Sequence, residues 1–149
     1  MSLVWKKAEN QSSEIKGIPP EQLFDRYYFN GGGKNGGYTG VGYRDFYKHD
    51  ITTQHILARK PESVLELGCA KGFILKRLQD AGIIAGGLEI SKHCYLTRAC
   101  ENILQANICK TPWVVPDHHT QVRKDLEYDL CFSIAVLEHI PEDKLPAVI

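Results

Sequence analysis

The stretch Ser63-Val64-Leu65-Glu66-Leu67-Gly68-Cys69-Ala70-Lys71-Gly72-Phe73 decides the fold. Val64, Leu65 and Leu67 form a short apolar run interrupted by Glu66, and Gly68, Ala70 and Gly72 follow at alternate positions. Ile74, Leu75 and Leu78 then recur at helical spacing. The pattern reads as a buried strand, a tight glycine turn and the opening of a helix. Glycine lets the backbone approach a ligand closely because no Cβ stands in the way. The helix N-terminus behind the turn offers unpaired N–H groups and a partial positive charge.

Two kinds of nucleotide-like ligand compete for such a turn. A dinucleotide site wants G-x-G-x-x-G/A, with a third small residue for close packing of helix on strand. Counted from Gly68, the third position is Phe73, which is bulky. The spacing acid-x-G-x-[GA]-x-G fits throughout, as Glu66, Gly68, Ala70 and Gly72. Here the chain resembles the S-adenosylmethionine (SAM)-dependent methyltransferases of Rossmann-like fold, and the run looks like their first motif. The resemblance implies that the turn from Gly68 through Cys69 and Ala70 to Gly72 cradles the methionine end of SAM. It also implies that Glu66 helps to hold the amino group.

Downstream residues extend the pattern. Ile83–Ile90 reads as a second strand carrying Glu89 at its end, about 20 residues past Gly68, where an acid accepts hydrogen bonds from a ribose diol. Glu89, with Ile90 behind it, is therefore a candidate cofactor contact. A charge ending an apolar strand costs several kcal/mol, by order of magnitude, to bury without a partner. Ser91 is placed to cap a helix running to about Glu101, and residues 102–108 read as a third strand. The resemblance puts an adenine-binding residue just past that strand. Asn107 matches the position, where the family more often has Asp, and the Ile108 N–H is a partner for a ring nitrogen. A plain turn residue is the competing reading of Asn107.

Tyr128–Ile134 reads as a fourth strand and runs into Ala135-Val136-Leu137-Glu138-His139-Ile140. This resembles the family's fourth motif, D-x-[VIL]-x-x-x-x-[VAL]-[LF]-E-H-[ILV], beginning at Asp129. Ser133 lies near the strand's C-terminal edge, where open α/β sheets bind ligands. His139 is the candidate catalytic residue, as a base or by orienting substrate; holding the loop by hydrogen bonds is the alternative. Some RNA-end methyltransferases carry a metal-ligating E-x-x-E-H, but Ala135 stands in place of the first Glu here, so no metal is expected.

The expected architecture is α/β: a doubly wound, Rossmann-like parallel sheet truncated after the fourth strand, behind an N-terminal helical and glycine-rich extension. Residues 1–43 are read as an arm and lid, and 44–149 as the SAM-binding part of a methyltransferase domain. Within the first part, Glu21–Phe29 reads as a short helix. Seven of the fourteen residues 30–43 are glycine, too many for regular structure, and aromatics flank them. A lid anchored by its aromatics and a plain connector both fit that composition. Arg44–Lys60 reads as a helix with a broad apolar side, closed by Pro61. The apolar run Leu145–Ile149 is expected to be uncovered, unless a further segment or a second copy completes the sheet.

Composition bounds the function. The 149 residues suffice for one domain, with 43% hydrophobic and 24% charged residues. Eighteen basic residues balance eighteen acidic ones, which argues against non-specific attraction to nucleic acid or to an anionic membrane. No run is long enough to span a bilayer and no secretory signal is recognisable. Five cysteines without a C-x-x-C read as reduced, mostly buried thiols of a cytoplasmic protein, Cys69 and Cys131 in core or ligand-turn positions. The function expected is SAM-dependent methyl transfer to a small molecule. A non-catalytic SAM-binding scaffold and an NAD-dependent oxidoreductase are the alternatives.

Overall fold

The computed structural model describes residues 20–31, 38, 40–110 and 127–148. The arm before residue 20, most of the glycine-rich run and the Pro112–Asp125 stretch with His118 and His119 lie outside the described residues.

Four parallel strands form one sheet: β1 (Ser63–Leu67), β2 (Ile84–Glu89), β3 (Ile103–Gln105) and β4 (Leu130–Ser133), in the order β3-β2-β1-β4. This is the Rossmann-like α/β arrangement, and the order reverses between β1 and β4. β1 is buried along its whole length, as a central parallel strand must be. Alternation divides its side chains between two cores. Val64 shares one face with Ala85 and Ile103, and that face packs on Ile74, Leu75 and Leu78. Leu65 and Leu67 share the other face with Leu88 and Leu104. This second face is covered by Val136, Ile140 and Val148 from the chain after β4, so Val148 is packed rather than left uncovered.

The helices on the first face begin with α3 (Tyr47–Leu57), which precedes β1, and α4 (Phe73–Asp80), which follows it. Gly72 caps α4 at φ +72°, and its hydrogen faces Ile103: a Cβ there would stand 2.5 Å from Ile103 Cδ1. Gly72 is thus the small residue that lets the helix lie close to β3, the role a dinucleotide turn gives to its third glycine. Gly82, at φ +87°, follows the end of α4 as expected of a helix-terminating glycine.

Several boundaries differ from the sequence reading. Glu21–Phe29 is two short helices, α1 (Pro20–Leu23) and α2 (Arg26–Asn30), broken at Asp25. The Asp25 carboxylate accepts from the N–H groups of Tyr27 (2.8 Å) and Tyr28 (3.0 Å), so it starts a new helix. On α3 the apolar side is less buried than its composition suggests: Thr53 and Ile56 are inside, while Tyr47 and Ile51 are exposed. The Ser91 cap is present, its hydroxyl accepting from Cys94 N–H, but the helix α5 (Lys92–Leu96) ends early. Arg98 Nη1 donates to the Tyr95 carbonyl, which Ala99 N–H would use in a longer helix. The chain is then drawn to the glycine turn, where Ala99 N–H donates to Lys71 O and Cys100 is buried against Gly72. Cys131 is exposed rather than core, because β4 is an edge strand whose residues are only partly covered.

Candidate functional site

The reversal of strand order opens a crevice at the C-terminal ends of β1 and β4, the place where open α/β sheets take ligands. A cavity of about 490 Å³ occupies it. Its floor is the glycine turn and the ends of β1 and β2: Glu66, Gly68, Cys69, Ala70, Glu89 and Ile90 all line it. Seven of the candidate residues therefore converge on one cavity, the seventh being His139 on the far rim.

Backbone bonds fix the floor. Gly68 and Cys69 donate their N–H groups to Leu88 O, at 2.8 and 3.1 Å. Gly68 takes φ +73°, and a Cβ would stand 2.4 Å from Val136 Cγ2. The segment after β4 therefore closes directly over the turn. Ala70 takes φ +49°, which costs a non-glycine residue roughly 1–2 kcal/mol. Its N–H donates to Glu89 Oε2 at 2.6 Å, and Glu89 Oε1 accepts from Ser91 N–H at 2.7 Å. Glu89 thus clamps the turn to the start of α5. A carboxylate has about four acceptor sites, so these two bonds leave room for a ligand's donors.

Register places the two acids together. Glu66 lies opposite Gly87, and Glu89 is two residues further on the same face. Both are buried, each only 4% exposed. Burial raises the Glu89 carboxyl, and the backbone donors oppose that rise. Burial and the Glu89 charge push the Glu66 carboxyl well above the usual carboxylate range. Glu66 Oε2 makes no hydrogen bond among the described residues, a buried acceptor that costs about 1–3 kcal/mol to leave unmet. Burial also pushes up the Cys69 thiol, with Glu66 adding to it, which favours the protonated thiol.

The remaining walls are aromatic. Tyr28, Phe29 and Tyr38 come from α2 and the loop after it, and Tyr43 and Phe46 from the approach to α3. They form a continuous surface, with Tyr38 and Tyr43 centroids 5.0 Å apart and Tyr43 5.8 Å from Phe73. Burial raises the Tyr43 phenol strongly, which keeps it neutral. His139, in the single turn Leu137–His139, closes the wall at one end with its ring 5.3 Å from Phe24.

The other candidates stand apart. Gly72 shapes the turn through its packing on Ile103 and does not line the cavity. Ser133 Oγ donates to Leu67 O at 3.1 Å, joining β4 to β1 beneath the crevice. Asn107 Oδ1 accepts from Cys109 N–H at 2.9 Å, and Ile108 is buried in the second core; both lie past β3, outside the cavity lining. Asp129, which opens the fourth motif, binds the N–H groups of Glu62 and Ser63 at the opposite end of the sheet. Among the described residues no cluster of three or more His, Cys, Asp or Glu could hold a metal ion, and no helix is long and apolar enough to cross a membrane.

Sequence reading missed the contribution of α3. Lys48, His49 and Thr52 line the cavity from its first turns, and His49 is stacked 5.6 Å from Phe73. The available signal was polar residues at positions i, i+1 and i+4 of a helix taken to be apolar on one side.

No family model matches the chain, and no curated protein matches it by sequence. Among solved structures, the crystal structure of magnesium protoporphyrin IX methyltransferase from Synechocystis PCC 6803 with bound SAH is similar, with a TM-score of 0.50 and 19% identity over 73% of this chain and 55% of that one. The chain thus spans about half the length of that enzyme, and the likeness extends to the fold: a Rossmann-like parallel α/β sheet.

Proposed function

We propose that the chain binds SAM in the cavity at the β1/β4 crevice and transfers its methyl group to a small-molecule acceptor, the aromatic side chains of Phe24, Tyr28, Phe29, Tyr38 and Tyr43 serving as the cover. One observation carries this reading: the buried carboxylate of Glu66, with Oε2 unpaired, beside the buried carboxylate of Glu89. Two like charges set side by side in a desolvated floor are unfavourable until a cation or a set of donors meets them. SAM carries an ammonium group, a sulfonium and a ribose diol, which fit this donor-hungry floor. A dinucleotide shares the ribose diol that Glu89 can accept from but brings no ammonium group for Glu66.

The bound cofactor supplies an electrophilic methyl group whose positive charge disperses as transfer proceeds. The chain's own residues do the rest. Glu66 receives the ammonium group. Glu89 accepts from the diol while holding Ala70 and Ser91 in place. The aromatic wall excludes water, so donor and acceptor meet in a dry site and in line. The likeness in fold to a methyltransferase with bound SAH supports the reading.

Calorimetric titration with SAM, its demethylated product SAH and NAD tests it. Binding of the first two and not of NAD, with SAH affinity lost in Glu89→Ala, is the expected result. Binding of NAD alone would overturn the reading.

A further inference from the structure

We propose that His49 is the catalytic base of this site and that the acceptor is a flat aromatic molecule bearing a hydroxyl group; this rests on the methyl-transfer reading above. His49 sits in the first turn of α3 and lines the cavity. Three rings hold its imidazole: Phe73 stacked at 5.6 Å, Phe46 edge-on at 5.6 Å and Tyr43 at 5.8 Å. Its Nδ1 lies 3.0 Å from Asp45 Oδ1. Asp45 is gripped in turn by Arg77 Nη2 at 2.8 Å, and Arg77 also binds Asp50 at 2.6 Å and the Phe73 carbonyl at 3.1 Å. The histidine is therefore fastened to α4, the helix that opens from the glycine turn.

The position of the ring proton follows from these neighbours. Nδ1 is also 3.1 Å from the Phe46 N–H, which would require it to be an acceptor. An acceptor there would face the Asp45 carboxylate lone pair to lone pair. The Arg77 bond, with His49 adding to it, holds Asp45 below the usual carboxylate range, so that oxygen is charged. A charge-assisted bond is about twice as strong as a neutral one, so Nδ1 carries the proton and donates to Asp45. Nε2 is then a lone-pair acceptor, and it makes no hydrogen bond among the described residues. A cavity-lining imidazole with one nitrogen oriented by a carboxylate and the other free is the arrangement of a general base. His139 lacks the orienting group: among the described residues its ring contact is Phe24, with no carboxylate bonded to it.

The base limits the acceptor. Methyl transfer needs one only when the acceptor must lose a proton. A phenolic hydroxyl, with a pKa of about 10, is acidic enough to pass its proton to a positioned imidazole; an alkyl alcohol is nearly as weak an acid as water, at about 15.7. A phenol also presents a flat ring to the wall formed by Tyr28, Phe29, Tyr38 and Phe46. In the step itself the hydroxyl proton passes to His49 Nε2 and the oxygen lone pair forms the bond to the methyl carbon. The carbon–sulfur bond breaks with its electron pair left on sulfur, and the proton leaves His49 for solvent. Nothing is oxidised or reduced.

Nitrogen-detected NMR of the histidine side chains in the full chain tests the placement. The free protein is expected to show His49 as the Nδ1–H tautomer. Adding p-cresol to protein saturated with SAH is expected to move the His49 Nε2 signal. With SAM and a panel of p-cresol, catechol and 1-naphthol, His49→Gln is expected to lose about 10²–10⁴-fold in kcat, the contribution of a general base, with KM within threefold. Asp45→Asn, a positioning variant, is expected to lose about tenfold in kcat, again with KM held. An Nε2–H tautomer, a response at His139 in place of His49, wild-type kcat in His49→Gln, or no methylation of any phenol would each overturn the proposal. Failure of SAH itself to bind is a separate result and refutes the SAM reading instead.

Discussion

Replacing Glu66 by Gln should make the protein more stable and its ligand affinity worse. The side chain is 4% exposed, one carboxylate oxygen has no partner, and the neighbouring Glu89 adds a like charge. Glutamine keeps the shape, removes the charge and can offer its amide hydrogens to Glu89. The gain from relieving the orphaned oxygen is about 1–3 kcal/mol. For a chain of this length each kcal/mol shifts Tm by roughly 2–4 °C, so a rise of about 2–12 °C is expected at pH 8. The sign with pH follows from linkage. The folded-state pKa of Glu66 is raised, so the folded protein binds its proton more tightly than the unfolded chain does. Stability from this group is complete below the unfolded value, about 4.3, and is lost as pH rises through the folded value. The difference between Glu66→Gln and wild type should therefore widen from pH 5 to pH 8. Removing one member of a buried charge pair typically costs 2–5 kcal/mol in binding, which is about 30- to 4,000-fold in affinity for SAH. Thermal unfolding at both pH values and calorimetric titration read the two effects. A variant less stable at pH 8 with wild-type SAH affinity would show that Glu66 is a satisfied structural residue and would refute the reasoning.

Gly72→Ala should destabilise the chain by more than the roughly 1 kcal/mol of its left-handed backbone, because the new Cβ meets Ile103 Cδ1 at 2.5 Å. Ile103→Val removes that atom, so the double variant should recover part of the loss in denaturant unfolding, and strict additivity would contradict the packing account. Asp129→Asn should lower Tm at pH 7, since the carboxylate is held below its usual range by the Ser63 and Glu62 N–H groups. A depressed carboxylate pKa gives stability that is present above the unfolded value of about 3.9 and lost as pH falls through the folded one. The Tm difference should therefore shrink on acidification; a difference independent of pH would exclude the charge as its cause.

Much of this site was legible in one dimension. The glycine turn, Glu66 and Glu89 are local features: a strand, its turn and the next strand follow one another closely, so their spacing alone brings the acids to one edge. Gly68, Cys69, Ala70, Glu89 and Ile90 all line the cavity at that edge. The end of α5 was not legible, because Ser91 correctly signals its start while its stop is set by the pull of Ala99 and Cys100 towards Lys71 and Gly72. Nor was the exposure of Cys131, which depends on β4 taking the edge of the sheet.

The sequence by itself determined the strand–turn–helix unit, the parallel α/β class and the two acids, because each rests on contacts between near neighbours whose geometry is dictated by periodicity and by glycine. The tertiary structure alone decided that Glu66 Oε2 has no partner among the described residues, that Val136 closes over Gly68, that Gly72 serves helix packing, and that His49, held by Asp45 and through it by Arg77 of α4, faces the same cavity from α3. Those are meetings between segments distant along the chain. Which segments meet is settled by how the two faces of the sheet bury their apolar surface, and no local spacing encodes that.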